Sequence, residues 1–495
     1  MTYSYSLKLL AFVLLVLGIT NIPVCNTNKN TSANNDSLNA VDIPQILARK
    51  KLVALTDNSS TSYFIYKGEP MGYEYEMLRA FAKDMNVELQ IVVAKDMNEI
   101  FDLLEKGEVD IVSANLTVTE DRMKKVNFTE PLIYTRQILV QRKPKGWERM
   151  SLEKQDKALV RTTIDLSGKN IYVRRESSFY SRLVNLQDEI ASQINIIEVP
   201  GEVTTEGLIA RVASGKIPFT VADENVALVN QTYYPQLDIK TAISFPQKIA
   251  WAVNKHSPLL LAELNNWIVN RKNSVEYAVL YNKYFRNPKG AGQRNESEFS
   301  SLGGNKISPY DDMIMAYSRE IGWDWRLLAA MIYQESKFNP NAQSWAGACG
   351  LMQMIPSTAQ QYGLDTCGGT PIESIDAGTR HIIKLNDYWA KIIGDKDERI
   401  KFILASYNVG LGHIIDARNL CKKYGKNPDL WDNSVEKYVL LKSYPKYYND
   451  PVVRCGYCRG QEPYNYVKEI IARFEHYKNA IKENDEKQVF AVNRP

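Results

Sequence analysis

The chain has 495 residues, too many for one hydrophobic core, and at roughly 150 residues per domain it should fold as about three compact units or two larger ones. Its 61 Lys and Arg nearly balance 57 Asp and Glu, leaving +4 with no long basic block, which argues against nucleic acid as a partner. Hydrophobic residues at 44% beside 24% charged residues read as an ordinary soluble globular protein; the 29 Tyr fit carbohydrate or peptide contact, although a mixture of core and surface Tyr accounts for most of them.

The N-terminus begins with Lys8 followed by an apolar run from Leu9 to Ile19, too short to span a bilayer and suited to an export signal. The polar stretch "NTNKNTSANNDSLNA" after it cannot build a core and reads as a tether. Cys25 stands where a lipoprotein signal places its lipid-modified cysteine, although Val24 replaces the small residue usual before it.

From Lys51 short β-rich runs alternate with helical patterns: "KLVAL", "YEYEMLRAFAKDM", "ELQIVVA", "MNEIFDLLEKG", "DIVSAN". The scheme restarts at "NIYVRR", continues through "QINIIEV", "TEGLIARVASG" and "FTVADE", and closes with "KIAWAVNK" and "LLLAELNNWIVNRK". Such alternation predicts βαβ units on mainly parallel sheets, here in two lobes with a ligand cleft between them. After a Gly-, Ser- and Asn-rich linker the pattern is helical only, starting at "SPYDDMIMAYSREIG" with Ser308 as N-cap, Pro309 at the first helical position and Gly322 as the stop. The expected divisions are an export signal 1–25, a tether 26–45, a bilobed α/β domain 46–287, a linker 288–305, an all-α domain 306–482 and a tail 483–495.

In the helical domain Leu328, Met331, Ile332 and Glu335 fall at i, i+3, i+4 and i+7, so one carboxylate shares a stripe with apolar side chains. Desolvation there would keep it protonated near neutral pH, as a general acid requires. The plainer alternative is a partly exposed residue at a fraying helix end, paired with Lys337. Two later segments bear on the choice: "GACGLMQMIPSTA" places Gly347, Gly350 and Gln353 in a loop before Pro356 at a helix start, and "ASYNVGLGHI" ends an apolar helix in Tyr407, Asn408 and Gly410.

Glu335–Ser336, "GLMQ" at Gly350–Gln353, "SYNVG" at Ser406–Gly410 and the Tyr466–Val467 pair in "YNYVKEI" together resemble the lysozyme-like lytic transglycosylases, over roughly residues 305 to 480. The resemblance implies an all-α lysozyme-like fold, peptidoglycan glycan strands as substrate and Glu335 as the catalytic acid. It also implies that Ser336, Gln353, Tyr407, Asn408 and Tyr466 orient the sugar and the Glu, capping and core hydrogen bonding being the plainer account of each. Ordinary glycosidases use two carboxylates. Members of this family use one, because the muramyl 6-hydroxyl attacks from within the bound sugar and leaves a 1,6-anhydro ring.

Upstream, "NLTVTEDR" followed by "VNFTEP" resembles the family 3 periplasmic solute-binding proteins. The resemblance implies that Thr117 and Arg122 hold a ligand α-carboxylate, that Ser178 assists from a helix N-terminus and that Asp223 takes the α-ammonium. Glu176 stands where that family usually has Gly, which leaves the ligand open between an amino acid and a muropeptide. Joined in one chain, the two domains resemble modular membrane-bound lytic transglycosylases, with the expected place at the periplasmic face of the outer membrane, lipid-anchored or peripheral. The other readings are a goose-type lysozyme-like hydrolase and a non-catalytic wall-binding receptor.

Cys349, Cys367, Cys421, Cys455 and Cys458 crowd the last third. In an oxidising compartment disulfides are expected, one of them involving Cys421, and Cys349 with Cys367 would brace the loop that presents Gln353. Cys455 and Cys458 form a CxxC without a second metal-ligand pair, so neither a metal nor a cofactor is expected.

Overall fold

A computed structural model of the chain describes residues 41–481 except 95–98, 176, 201–202, 288–289, 291–293, 295–296, 304–305 and 365–367. The export signal, Cys25, most of the tether and the tail lie outside the described residues. The last tether positions are already ordered by local chemistry: Asp42 caps the helix Ile43–Arg49 in a capping box and also accepts from the backbone of Leu259 and Leu260.

Fourteen strands follow among the described residues: β1 Lys51–Thr56, β2 Phe64–Tyr66, β3 Glu69–Met71, β4 Glu88–Val93, β5 Ile111–Val112, β6 Asn127–Phe128, β7 Ile133–Thr135, β8 Gln137–Arg142, β9 Asn170–Arg174, β10 Asn195–Val199, β11 Phe219–Asp223, β12 Leu237–Ala242, β13 Gln247–Ile249 and β14 Ala252–Val253. The first lobe's sheet has the order β4-β1-β5-β14-β6 and the second lobe's β10-β9-β11-β8-β12. Each begins as a parallel sheet, β1 between β4 and β5 and β9 between β10 and β11. Each is completed by strands running antiparallel, so the sheets are mixed rather than mainly parallel. The reason is the path of the chain: β8 and β14 are the strands that have just crossed from the other lobe. The crossings themselves pair as a two-stranded ribbon of β7 and β13, so the expected single strand "KIAWAVNK" is split between ribbon and sheet.

The C-terminal domain has helices α1 Asp311–Ile321, α2 Trp325–Ser336, α3 Pro356–Gln361, α4 Pro371–Trp389, α5 Lys396–Val409, α6 Leu411–Lys423, α7 Glu436–Leu441, α8 Pro445–Tyr448 and α9 Gln461–Ala480. Gly322 stops α1 as expected, in a left-handed conformation. Ser308 is not the N-cap. Asp311 accepts from the backbone N–H groups of Ile307 and Ser308 and from Ser308 Oγ, which holds Ser308 and Pro309 in a turn ahead of the helix. The helix α6 has no counterpart among the expected elements, because Gly410 and Gly412 read as a loop; Gly410, with φ +92°, instead makes the corner between α5 and α6.

The expected Cys421 disulfide is absent: Cys421, Cys455 and Cys458 are free thiols. Cys421 Sγ sits 3.2 Å from Ser434 Oγ in the interior. The loop carrying the other two is anchored instead by a buried ion pair, Lys442 Nζ to Asp416 at 2.9 Å, with Asp416 also accepting from Arg454 N and Cys455 N. Breaking such a pair leaves an uncompensated buried charge.

The first lobe and the helical domain share one core. Tyr63, Phe64 and Tyr75 from the lobe pack in the same cluster as Tyr333 and Tyr477 from α2 and α9, whereas the second lobe has clusters of its own. The hairpin β2–β3 makes the junction. Gly68 at its tip has φ +81°, and a Cβ there would lie within 3 Å of the Tyr333, Tyr477 and Phe338 side chains, so only Gly fits. The Gly68 carbonyl accepts from Tyr477 Oη at 2.9 Å and Arg473 Nη1 at 3.0 Å. Next to it the Glu69 carboxylate accepts from Tyr333 Oη and pairs with Arg473 at 3.5 Å. The end of the linker adds to the hairpin, with Lys67 N donating to Phe299 O and Ser301 N to Ile65 O.

Candidate active site

Glu335 lies in the last turn of α2, on the apolar stripe that its spacing predicts, flanked by fully buried Leu328, Met331 and Ile332. Lys337 is the left-handed C-cap residue of α2 and makes no ion pair with Glu335. Among the described residues the side-chain partner of Glu335 is Tyr466 of α9, whose hydroxyl donates to Oε1. Burial lifts the carboxyl to about 8, with the Tyr466 hydrogen bond acting in the opposite direction. Among the described residues no other carboxylate and no cation enters the forces on this group, so Glu335 is a protonated acid at neutral pH.

Tyr407, at the end of α5, is half-buried near Glu335; desolvation of its hydroxyl first and the Glu335 charge second hold that hydroxyl protonated. That hydroxyl donates to Met352 O at 2.9 Å, tying α5 to the "GLMQ" loop. On its other side lies the ring of His381, 5.2 Å away, whose Nδ1 is 3.0 Å from Tyr362 Oη. Burial drops His381 to about 4, so it is neutral. Sequence reading missed His381 and Tyr362; a His inside an amphipathic helix carries no local signal of the tyrosines that fold against it.

The "GLMQ" loop is pinned from below. Gly350, at φ +76°, lies so near Gly368 that a Cβ would come within 2.7 Å of its Cα, and Met352 N donates to Ser374 Oγ of α4. Gln353 has φ +46°, and its amide donates to the carbonyls of Ala342 and Gly350, both at 2.9 Å. Ser336 turns its hydroxyl to Ile332 O within α2. Both side chains are thus spent on the protein's own backbone. Asn408, exposed beside Tyr407, has its amide unengaged by other described residues. Cys349 is disulfide-bonded; Cys367, the partner expected for it, lies outside the described residues. Trp345, at the tip of the turn closed by Ser344 and Ala348, is 95% exposed.

The inter-lobe cleft brings Thr117, Arg122, Ser178 and Asp223 together. Ser178 Oγ donates to Thr117 Oγ1 across the lobes, and Asn115 Nδ2 donates to Asp223 Oδ2 at 2.8 Å. Arg122 donates to Thr117 O at 2.9 Å, and burial lowers it to about 10. Burial raises Asp223 to about 7 although Asn115, Arg122 and Arg174 oppose this, and its Oδ1 is buried without a partner among the described residues. Asp57 and Glu206 line the same cleft and carried no motif.

Two family profiles match the chain, bacterial extracellular solute-binding proteins, family 3, over residues 52–287 and the transglycosylase SLT domain over residues 312–430. The chain is 34% identical over 426 residues to membrane-bound lytic murein transglycosylase F of Desulfosudis oleivorans, an alignment covering 86% of this chain and 89% of that protein. It is similar to proteins of the same name from Shewanella sediminis, at 34% over 402 residues covering 81% and 79%, and from Aliivibrio fischeri, at 30% over 432 residues covering 86% and 83%.

Proposed function

The chain belongs to the membrane-bound lytic murein transglycosylase F family, and from that premise we propose that Glu335 alone performs the proton transfers of the reaction. The protein is a lyase acting on peptidoglycan, cleaving the β-1,4 bond between N-acetylmuramic acid and N-acetylglucosamine without water and leaving 1,6-anhydro ends. Glu335, protonated through burial, gives its proton to the glycosidic oxygen as that bond breaks. The carboxylate then takes the proton of the muramyl 6-hydroxyl while its oxygen bonds to the anomeric carbon, and the carboxyl group is restored. The 2-acetamido group eases the positive charge that develops at that carbon. An internal nucleophile removes the need to position and activate water, a large proximity advantage.

The observation that carries this reading is the solitude of the acid: among the described residues Glu335 has a tyrosine as its side-chain partner and no carboxylate acting on it, whereas ordinary hydrolytic glycosidases use a second acidic group to activate water. Mass spectrometry of peptidoglycan digests tests it. Anhydro-muramyl ends are expected; a majority of reducing ends would replace it with the goose-type hydrolase. Tyr466 positions the acid, Tyr407 holds the "GLMQ" loop against α5, Asn408 is the amide free to meet the sugar, and Ser336 and Gln353 act by shaping backbone.

The bilobed domain binds an amino acid or a muropeptide stem and adjusts cleavage. What supports this is one continuous stretch, residues 57–71: Asp57, Ser59 and Thr61 line the cleft, Gly68 accepts from Tyr477 and Arg473 of α9, and Glu69 accepts from Tyr333 of α2, two residues before Glu335. With the first lobe welded to the helices, ligand-driven motion falls to the second lobe about the β7–β13 ribbon. Replacing Glu69 with Ala removes one hydrogen bond and a partly exposed ion pair. Cleavage by the full chain should slow about three- to tenfold, with the alkaline limb of its pH profile unmoved. Unchanged turnover would remove the hairpin from the route.

The protein is associated with the cell envelope, as its membrane-bound relatives are named. Among the described residues no helix is long and apolar enough to cross a membrane. Attachment at the periplasmic face of the outer membrane, through lipid on Cys25 or peripherally, completes the reading.

A further inference from the structure

One exposed side chain near the acid has no part in holding the fold. The chain has eight Trp, and Trp345 stands 95% in solvent while the others are buried or half-buried. The segment that carries it is a small hairpin, in which Gln343 pairs antiparallel with Cys349 and Cys349 in turn with Met354. Ser344 N donates to Ala348 O at 2.9 Å and Gly347 N to Ser344 O at 3.0 Å, with Gly347 at φ +79°. These bonds make a three-residue turn closed by a left-handed Gly. Ala348 N also donates to Ser344 Oγ at 3.0 Å, and Cys349 is disulfide-bonded, so the tip is held firmly. Such a turn demands Gly at 347 but accepts most residues at 345; local structure gives no reason for Trp.

The base of the hairpin is tied to the site. From Ser336, next to Glu335, two tight turns lead to Ala342, with Asn339 N donating to Ser336 O and Ala342 N to Asn339 O. The Ala342 carbonyl accepts from Gly350 N and from the Gln353 amide, so it also anchors the "GLMQ" loop. Each turn moves the chain by less than about 7 Å, and the step from Ala342 to Trp345 by at most about 10 Å. The indole therefore lies within a few sugar rings of the acid. The third limb of the hairpin runs back toward the tip, and Ile355, which follows Met354 on it, is 45% exposed. Two exposed apolar side chains thus share one end of a ribbon rooted between the acid and the "GLMQ" loop.

We propose that Trp345 is a stacking platform for a sugar ring of the glycan strand, beyond the two sugars that flank the cleaved bond. The inference rests on the reading of Glu335 as the acid that the strand must reach. Sugars in β-1,4 linkage carry their hydroxyl and amide groups around the ring edge and C–H groups on the two faces. An indole laid on such a face buries apolar surface of both partners. Every ring of the strand offers the same face, so the platform holds the strand without reading its stem peptides. A fixed turn and a side chain with two rotatable bonds leave little freedom to lose on binding. A contact so far from the bond that breaks is made equally before and during the reaction, and it belongs in KM rather than kcat.

Kinetics of the full chain on glycan strands freed of stem peptides, and on strands that retain them, test it. Trp345→Ala should raise KM for both about three- to tenfold, the worth of one aromatic contact, with kcat, the alkaline limb of the pH profile and the anhydro ends unchanged. Trp345→Tyr should restore most of the affinity, which also shows that the hairpin tolerates substitution. In the Glu335→Gln variant, where strands stay whole, Trp345→Ala should weaken binding by the same ratio in titration calorimetry. Equal KM and equal binding would overturn the platform. So would a lower kcat at unchanged KM, which would make Trp345 a prop of the "GLMQ" loop, and so would a loss confined to peptide-bearing strands, which would assign the indole to the stem peptide. Cleavage retained by Glu335→Gln would overturn the acid instead, and the KM arm would still decide the platform.

Discussion

Replacing Glu335 with Gln is expected to cut the release of anhydro-muropeptides by about 10³- to 10⁴-fold, the upper end of what a positioned acid–base group contributes, because the same carboxyl serves in both proton transfers. The amide keeps the size of the side chain and can still accept from Tyr466, so the fold should persist. Stability provides a second readout of opposite sign. The Glu335 carboxyl lies at about 8 in the folded chain against an ordinary 4.5. Between those values the folded chain retains a proton that the unfolded chain releases, so the contribution of Glu335 to stability falls as pH rises through that window. Gln has no proton to lose. Its melting temperature should therefore exceed that of the wild type by a few degrees at pH 8, with the difference shrinking toward pH 4.5. A variant that kept wild-type release of anhydro products would remove Glu335 from the chemistry.

Tyr466→Phe should lower turnover by about ten- to a hundredfold, the worth of a hydrogen bond to a charged group in a dry site. The hydroxyl donates to Glu335 Oε1 and opposes the effect of burial. Without it the carboxylate left after the first proton transfer is less stable, and the protonated form extends to higher pH. The alkaline limb of the pH–rate profile, set near 8 by the free acid, should move upward as the rate falls. A lower rate with an unmoved limb would mean that Tyr466 only fills space. Tyr407 should behave differently, since its hydroxyl is committed to Met352 O; its removal loosens the "GLMQ" loop without changing the acid directly.

The buried acid was legible because its signal is local. Leu328, Met331, Ile332 and Glu335 share a face by helix geometry alone, and a carboxylate on an apolar face announces desolvation before any contact is known. Of the glycines around "GLMQ" and "YNVG", all of Gly347, Gly350 and Gly410 take positive φ, but only Gly350 lies against neighbouring backbone, that of Gly368; a Cβ on Gly347 or Gly410 would meet open space. The roles of Gln353 and Ser336 were less legible. A polar side chain near a site does not reveal whether it turns to a substrate or to its own main chain, and here both turn to the main chain.

By itself the sequence determined two α/β lobes, a helical domain and a single acid on an apolar stripe, since each rests on periodicity, capping or turn chemistry over short spans. Only the tertiary structure decided what meets across long ones. Tyr466 reaches Glu335 from 131 positions away, and Ser178 meets Thr117 because two lobes close on one cleft. Lys442 and Asp416 do the work expected of a Cys421 disulfide. The boundary at the linker separates two patterns of periodicity but not two cores: the tip of a hairpin, Gly68, is buried among aromatic rings of α2 and α9. Periodicity records which face of an element is apolar, and that face is the same whether the partner covering it belongs to its own domain or to the next.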